Sequence, residues 1–430
     1  MLQVWIGACT LILPLGLDQA YVREYHESKD KRQLLANAIS FPVILSALLT
    51  AALLICPNNI SKALFGEESP ILSVLAAICT LGALISRFLT LTLRMEERGL
   101  EFSFSQVTQK LSLFLLILVG AIFTKKGNFT YLAIGFAASY LMSTFYSIMA
   151  IKKSISAHFF KSANIKGIYK LLRFGAPLVI GGVAYWGLTN SDRLFLRNYS
   201  SFNELGLYSV SVSFASVAVI FQSIFTTIWI PSVYKSIKNG QSPQILLTID
   251  ILLSVIPLIF SITALLSSCI NYFLPESYYR AQFIIVTCMA YPLFYTLSEV
   301  SSIGIGITRK TAYSMLATII SLALNIICNF YLVPRLGAVG SGISTALSFW
   351  AFLIIRTELS IKAWRPIPRI KLYSVSSLCL CASISFSIYG ETFHEYFNLL
   401  WTFIIFSSLL TLPNQISNIR KTLNHRKIEV

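Results

Sequence analysis

The chain has 430 residues, of which 55% are hydrophobic and only 12% charged, with a mean hydropathy of +0.71. A soluble domain carries about 25% charged residues, so this composition excludes one and identifies a polytopic membrane protein. The net charge of +16 would suggest a nucleic-acid partner in a soluble chain. Here it reads as Lys and Arg gathered in cytoplasmic loops, so no nucleic acid is expected.

A helix needs about 20 apolar residues to cross about 30 Å of hydrocarbon. Thirteen candidate runs meet or approach that length, at approximately 1–17, 36–56, 71–93, 105–123, 129–150, 174–191, 207–230, 246–270, 282–306, 312–332, 338–355, 372–390 and 397–413. The first opens directly at Met1, without the basic segment and small-residue cleavage site of a signal peptide, and is read as a span. It ends at a sharp edge. Leu2 to Leu17 holds no formal charge, whereas Asp18, Arg23, Glu24, His26, Glu27, Lys29, Asp30, Lys31 and Arg32 follow at once, as where a helix leaves a membrane.

Assigning alternate loops to opposite sides places 25 of the 34 Lys and Arg on one side and seven on the other, with Arg87 and Lys110 inside spans. The rich side is cytoplasmic. It holds both the segment after Leu17 and the C-terminal tail, so an odd number of spans puts Met1 outside. The simpler expectation is one further span before Met1, giving fourteen with both ends inside.

Ala133-Ile134-Gly135-Phe136-Ala137-Ala138-Ser139 aligns with Ala338-Val339-Gly340-Ser341-Gly342-Ile343-Ser344 at an offset of 205 residues. Arg98 with Phe102-Ser103 aligns with Arg309 and Tyr313-Ser314 at an offset of 211. Similar offsets at topologically equivalent places predict two related lobes in parallel orientation, the first lacking its opening helix. The expected organisation is an N-terminal lobe at 1–150, a cytoplasmic amphipathic linker at 151–173, a C-terminal lobe at 174–357, and two additional spans with a tail at 358–430. A basic loop with incidental aromatics is the alternative for the linker.

The eight cysteines lie in or at the ends of apolar runs with no CxxC spacing, and the four histidines in polar stretches. No metal site or other cofactor is expected. The sequons at Asn59 and Asn128 fall in outer loops, a match short enough to arise by chance. Nor does any P-loop, HExxH or GxSxG occur, so the expectation is a transporter rather than an enzyme.

An ionisable residue inside a bilayer is a functional candidate by default. Glu299 lies ten residues before Arg309, about 15 Å from the cytoplasmic boundary at 1.5 Å per residue. Arg87 lies two turns before Arg94 and about 10 Å deeper. For both, a structural pairing or a bond to a carbonyl beside a kink competes with a cavity-facing role. Lys110 and Asp250 read as interfacial, and Asp192-Arg193 as an anchor at the outer end of a span. Pro42, Pro177, Pro257 and Pro292, with Gly181-Gly182, predict kinked helices.

Three stretches carry a resemblance. The segment Leu15-Gly16-Leu17-Asp18-Gln19-Ala20-Tyr21-Val22-Arg23-Glu24-Tyr25 resembles the end of the second helix in bacterial polysaccharide transporters, the Wzx-type O-antigen flippases of the multidrug/oligosaccharidyl-lipid/polysaccharide exporter superfamily. Phe174-Gly175-Ala176-Pro177-Leu178, with Ser191-Asp192-Arg193-Leu194 and Leu205-Gly206-Leu207-Tyr208-Ser209-Val210, is similar to the opening of that family's second lobe. Leu336-Gly337-Ala338-Val339-Gly340 with Ser344-Thr345 is similar to the start of its twelfth helix.

The resemblance implies two helical lobes around a central cavity and the flipping of an undecaprenyl-diphosphate-linked oligosaccharide, of O-antigen or capsule type, across the bacterial inner membrane. Membrane lipids, a polysaccharide polymerase and a chain-length regulator are the other implied partners. Arginine's planar fork suits phosphate oxygens, which makes Arg23 and Arg87 the candidates for the pyrophosphate. Glu299 is the candidate for ion coupling. Tyr185 and Trp186 either stack on sugar rings or face lipid. The alternatives are a multidrug or metabolite exporter of the same superfamily, a membrane-embedded O-antigen polymerase or ligase, and a scaffold. Outer loops of about fifteen residues or fewer disfavour the polymerase or ligase.

Overall fold

The computed structural model describes residues 1–410 except His26, Cys56, Glu67, 124–128, 152–162 and 239–244. About half of the expected linker (152–162), the sequon residue Asn128 and the C-terminal tail therefore lie outside the described residues. Every regular element among the described residues is helical. Nine helices there are long and apolar enough to cross a membrane, or eleven if each of two bent pairs counts as one span. The chain divides into two compact units, Met1–Trp186 and Gly187–Val430.

The first unit begins with α1 (Leu2–Ile12) and α2 (Leu17–Glu24), which meet at 53°. The sequence edge at Leu17 coincides with a break between two helices. Pro14 lacks a backbone N–H, and Leu15 and Gly16 adopt φ of 47° and 75°, so the helix breaks and then resumes. In α2 the residues Leu17, Asp18, Ala20 and Tyr21 are buried. Asp18, Arg23 and Glu24 thus ride on a packed helix.

Next come α3 (Lys31–Ile55), α4 (Pro57–Phe65), α5 (Pro70–Met95), α6 (Gly99–Phe123), α7 (Phe129–Ile151) and α8 (Ile165–Tyr199). Asp30 starts α3, its Oδ1 accepting the N–H groups of Arg32 and Gln33 at 3.0 Å each. Along α5, Leu72, Ala76, Cys79 and Ala83 pack on Leu2 and Ile6 of α1 and on Ala133 and Ala137 of α7. Its Leu84 and Phe88 join Leu17, Tyr21, Leu34 and Leu35. The many small residues let these helices approach closely, as membrane bundles require. By contrast α6 presents Leu111, Phe114 and Ile122 outward, a face that hydrocarbon covers without cost.

The helix α8 bends by 48° between Ala176 and Leu178, at a proline position, and then continues to Tyr199. Asp192, Arg193 and Arg197, expected at an outer boundary, therefore lie within it. The second unit adds α9 (Phe202–Lys238), α10 (Ile245–Leu266), α11 (Ala281–Cys288), α12 (Ala290–Ser301), α13 (Ile303–Ile307), α14 (Thr311–Ala363), α15 (Ile370–Tyr389) and a last helix, α16, at 394–410. All of α11 is buried, and with α12 it forms the centre against α9, α10, α14 and α15.

The 53 residues of α14 would reach about 80 Å if straight, far beyond one crossing. The helix is interrupted at Gly337, with φ 55° and ψ −128°, between the two predicted runs. Glu204 of α9 closes the break, its Oε2 accepting the N–H of Ala338 at 2.7 Å. A carboxylate suits the exposed donors of a helix N-terminus. A side chain at 337 would collide with that carboxylate.

Candidate functional site

In the first unit, two of the stretches that carried the resemblance dock on each other. Gly16 and Gly175 meet backbone to backbone, and a Cβ on either would strike the other's main chain. About two turns on from Gly16, the Arg23 guanidinium lies 4.1 Å from the centroid of the Phe174 ring. Beside it, Lys170 Nζ donates to Glu24 Oε2 at 2.9 Å. Arg23 is exposed, and among the described residues no carboxylate lies within ion-pair distance of it.

Arg87 is arranged differently. Its Nε and Nη2 donate to Asp18 Oδ2 at 2.9 Å and 2.5 Å, with Asp18 buried and the Arg87 side chain 38% exposed. Nearby, Tyr21 Oη donates to Thr92 Oγ1 at 3.2 Å, tying α2 to α5. The two predicted arginines are thus brought to the same short helix. Among the described residues Arg87 has a compensating carboxylate and Arg23 has none.

In the second unit, the most buried carboxylate is one that sequence reasoning treated as an anchor. Asp192 on α8 is 1% exposed. Its Oδ2 accepts from Tyr208 Oη at 2.8 Å and Thr345 Oγ1 at 2.6 Å. Its Oδ1 accepts from Asn329 Nδ2 at 2.8 Å and Asn325 Nδ2 at 3.4 Å. Behind these, Asn329 Oδ1 accepts from Ser341, and Asn325 Oδ1 from Ser191. Both halves of α14 contribute, because the break at Gly337 folds Thr345 back toward Asn325 and Asn329.

Every one of these donors is neutral. Arg193, the adjacent cation, donates instead to Asn190 Oδ1 at 3.0 Å. A cavity of about 50 Å³ opens beside the carboxylate, lined by Thr189, Asp192, Arg193, Tyr208, Cys288 and Thr345 among others. That volume suits a small cation or a water or two and is far below the roughly 300 Å³ of an organic-ligand pocket. Three quoted stretches supply Asp192, Tyr208 and Thr345. The asparagines carried no signal, since a search for charge passes over neutral amides.

Glu299 is buried on α12 and bonded through Oε1 to Arg356 Nη1 at 2.9 Å. Arg356 also donates to Ser298 Oγ at 3.0 Å and lies over the rings of Phe352 and Tyr295. The predicted apolar run ends at 355, just before Arg356, but α14 continues past it to Ala363. The structural pairing is therefore the geometry observed at Glu299. Tyr185 and Trp186 are half-buried, with the Trp186 indole against Gly7 of α1. Lys110 is exposed on α6, and Asp250 pairs with Lys371.

Residues 1–237 match the family model described as polysaccharide biosynthesis protein. Over 355 residues the chain is 20% identical to a probable low-salt glycan biosynthesis flippase, Agl15, of Haloferax volcanii, covering 81% of this chain and 73% of that protein. A stretch of 136 residues is 33% identical to a probable multidrug resistance protein NorM of Bacillus thuringiensis, covering 27% of this chain and 29% of that protein. Among solved structures, the lipid II flippase MurJ in an inward closed conformation matches with a TM-score of 0.70 at 16% identity, over 98% of this chain and 92% of that one. An inward-facing multidrug resistance MATE family transporter of the MOP superfamily matches with a TM-score of 0.57 at 14% identity, over 87% of this chain and 89% of that one. At these identities the structural likeness establishes the fold, one that serves both a lipid flippase and multidrug transporters.

Proposed function

The chain belongs to the polysaccharide biosynthesis protein family, and on that premise we propose that it is a flippase for undecaprenyl-diphosphate-linked oligosaccharide repeat units, acting in the bacterial inner membrane by ion-coupled alternating access. The observation that carries this reading is Arg23, an exposed arginine with no carboxylate partner among the described residues. A pyrophosphate leaving water for a low-dielectric path needs a countercharge, and a guanidinium supplies one with matched donors. Arg87, held and charge-paired by Asp18 of the same short helix that bears Arg23, is the second candidate for the pyrophosphate. Both ends of the chain's cytoplasmic charge pattern, including the tail, belong inside on this reading.

The coupling ion is assigned to Asp192 in preference to Glu299. Glu299 already has Arg356 as a full countercharge. Among the described residues Asp192 has only neutral donors, beside a cavity of ionic size, and a buried carboxylate so placed is stabilised by taking up a cation or a proton. The local match to a probable multidrug resistance protein NorM favours a second reading, multidrug or metabolite export.

Complementation separates the two. In a bacterium whose own polysaccharide flippase is deleted, this chain restores surface polysaccharide, and Arg23→Ala together with Arg87→Ala abolishes the restoration. Restoration of drug resistance without any surface polysaccharide would select the exporter.

A further inference from the structure

We infer that Phe174 is a positioning residue for substrate recognition, holding the Arg23 guanidinium so that its N–H edge is presented to a diphosphate. This rests on the reading of Arg23 as an anion ligand. An arginine side chain has several rotatable bonds, and an exposed one samples many orientations, so ordering it on binding costs affinity. Stacking the cation on an aromatic face removes much of that freedom before the ligand arrives. The guanidinium carbon lies over the Phe174 ring, 4.1 Å from its centroid, the placement from which an arginine stacks its plane on an aromatic face. Its donors lie in the guanidinium plane, so they stay available for a bidentate bond to phosphate oxygens.

The ring itself is held. Phe174 precedes Gly175, whose backbone contact with Gly16 clamps this part of α8 onto α2, and Lys170 pairs with Glu24 one turn earlier. These contacts fix the distance between the α2 face bearing Arg23 and the α8 face bearing Phe174. A carboxylate at the same place would also order Arg23, but it would neutralise the charge, as Asp18 does for Arg87. An aromatic face orders the arginine and leaves its charge for the ligand.

The test is binding of undecaprenyl diphosphate to the full chain in nanodiscs of phosphatidylcholine, a neutral lipid, with undecaprenyl monophosphate as the control ligand. Phe174→Leu keeps the apolar volume and removes the π face. It is expected to weaken diphosphate binding about 2- to 5-fold, the range a partly exposed cation–π contact supports. Phe174→Tyr and Phe174→Trp are expected to bind as the unaltered chain does. In an Arg23→Ala background, where binding is already about 10-fold weaker or more, Phe174→Leu is expected to add nothing. A further loss in that background overturns the inference, because Phe174 then acts without Arg23. Failure of the tyrosine and tryptophan variants to preserve affinity, with unfolding midpoints unchanged, overturns it as well. If Arg23→Ala alone leaves binding intact, the pyrophosphate reading of Arg23 itself is what fails. An equal effect on the monophosphate would show that the arginine answers any phosphate and remove the claim on the diphosphate.

Discussion

Asp18 and Asp192 are both almost wholly buried, at 5% and 1% exposure, yet they are balanced by different chemistry. Asp18 faces a guanidinium and Asp192 a cage of hydroxyls and amides. Asp18→Asn removes the countercharge of Arg87, whose side chain is 38% exposed, so water screens part of the loss. The expected cost is about 1–2 kcal/mol, less than for a fully buried pair, read as a lower unfolding midpoint in detergent. Asp18→Asn with Arg87→Gln recovers part of that loss. For Asp192, a ligand that binds only the folded state stabilises it by mass action. The unfolding midpoint of the unaltered chain is therefore expected to rise with the coupling ion, sodium or protons. Asp192→Asn, nearly isosteric, abolishes that response, whereas Glu299→Gln leaves it in place. A midpoint of the asparagine variant that still climbs with sodium or acid would remove Asp192 as the ion site.

The helices themselves were legible in the sequence, because crossing hydrocarbon demands long apolar runs and little else imitates them. Their interruptions were less so. The break in α14 falls in the gap between two predicted runs, where Pro334 and Gly337 stand. The bend between α1 and α2 was hidden: the apolar run and the charged residues after it read as one helix leaving a membrane, whereas the backbone breaks at Leu15 and Gly16 and resumes with Leu17 and Tyr21 packed in the core. In the same way Arg356 and Asp192 looked like boundary charges, since sequence records where an apolar run ends but not how far the helix continues. Asp192 owes its partners to α9 and to both halves of α14, a convergence no local pattern encodes. The glycine contacts make an element-scale prediction. Gly175→Ala sets a methyl group against the main chain of Gly16, which cannot rotate away, and is expected to cost about 1–3 kcal/mol. Gly120→Ala, where none of the described residues lies within 4 Å of the added atom, is the matched control and should be neutral or slightly stabilising in thermal unfolding.

At the scale of the whole molecule, the fold is that of a multi-pass membrane protein shared with MurJ and MATE transporters. Each unit places one ionic device on a short or broken helix: a cationic one at α2 in the first, and a buried carboxylate at α8 in the second. In the account proposed here the first meets the pyrophosphate and the second meets the coupling ion. The direct test is a purified, reconstituted chain in liposomes carrying a labelled undecaprenyl-diphosphate-linked oligosaccharide on one leaflet, with an imposed sodium or proton gradient. The account predicts gradient-dependent appearance of the glycan on the opposite leaflet, lost in Arg23→Ala and uncoupled from the gradient in Asp192→Asn. Absence of glycan movement by the unaltered chain, in liposomes where the same protein exports a cationic dye, would contradict it.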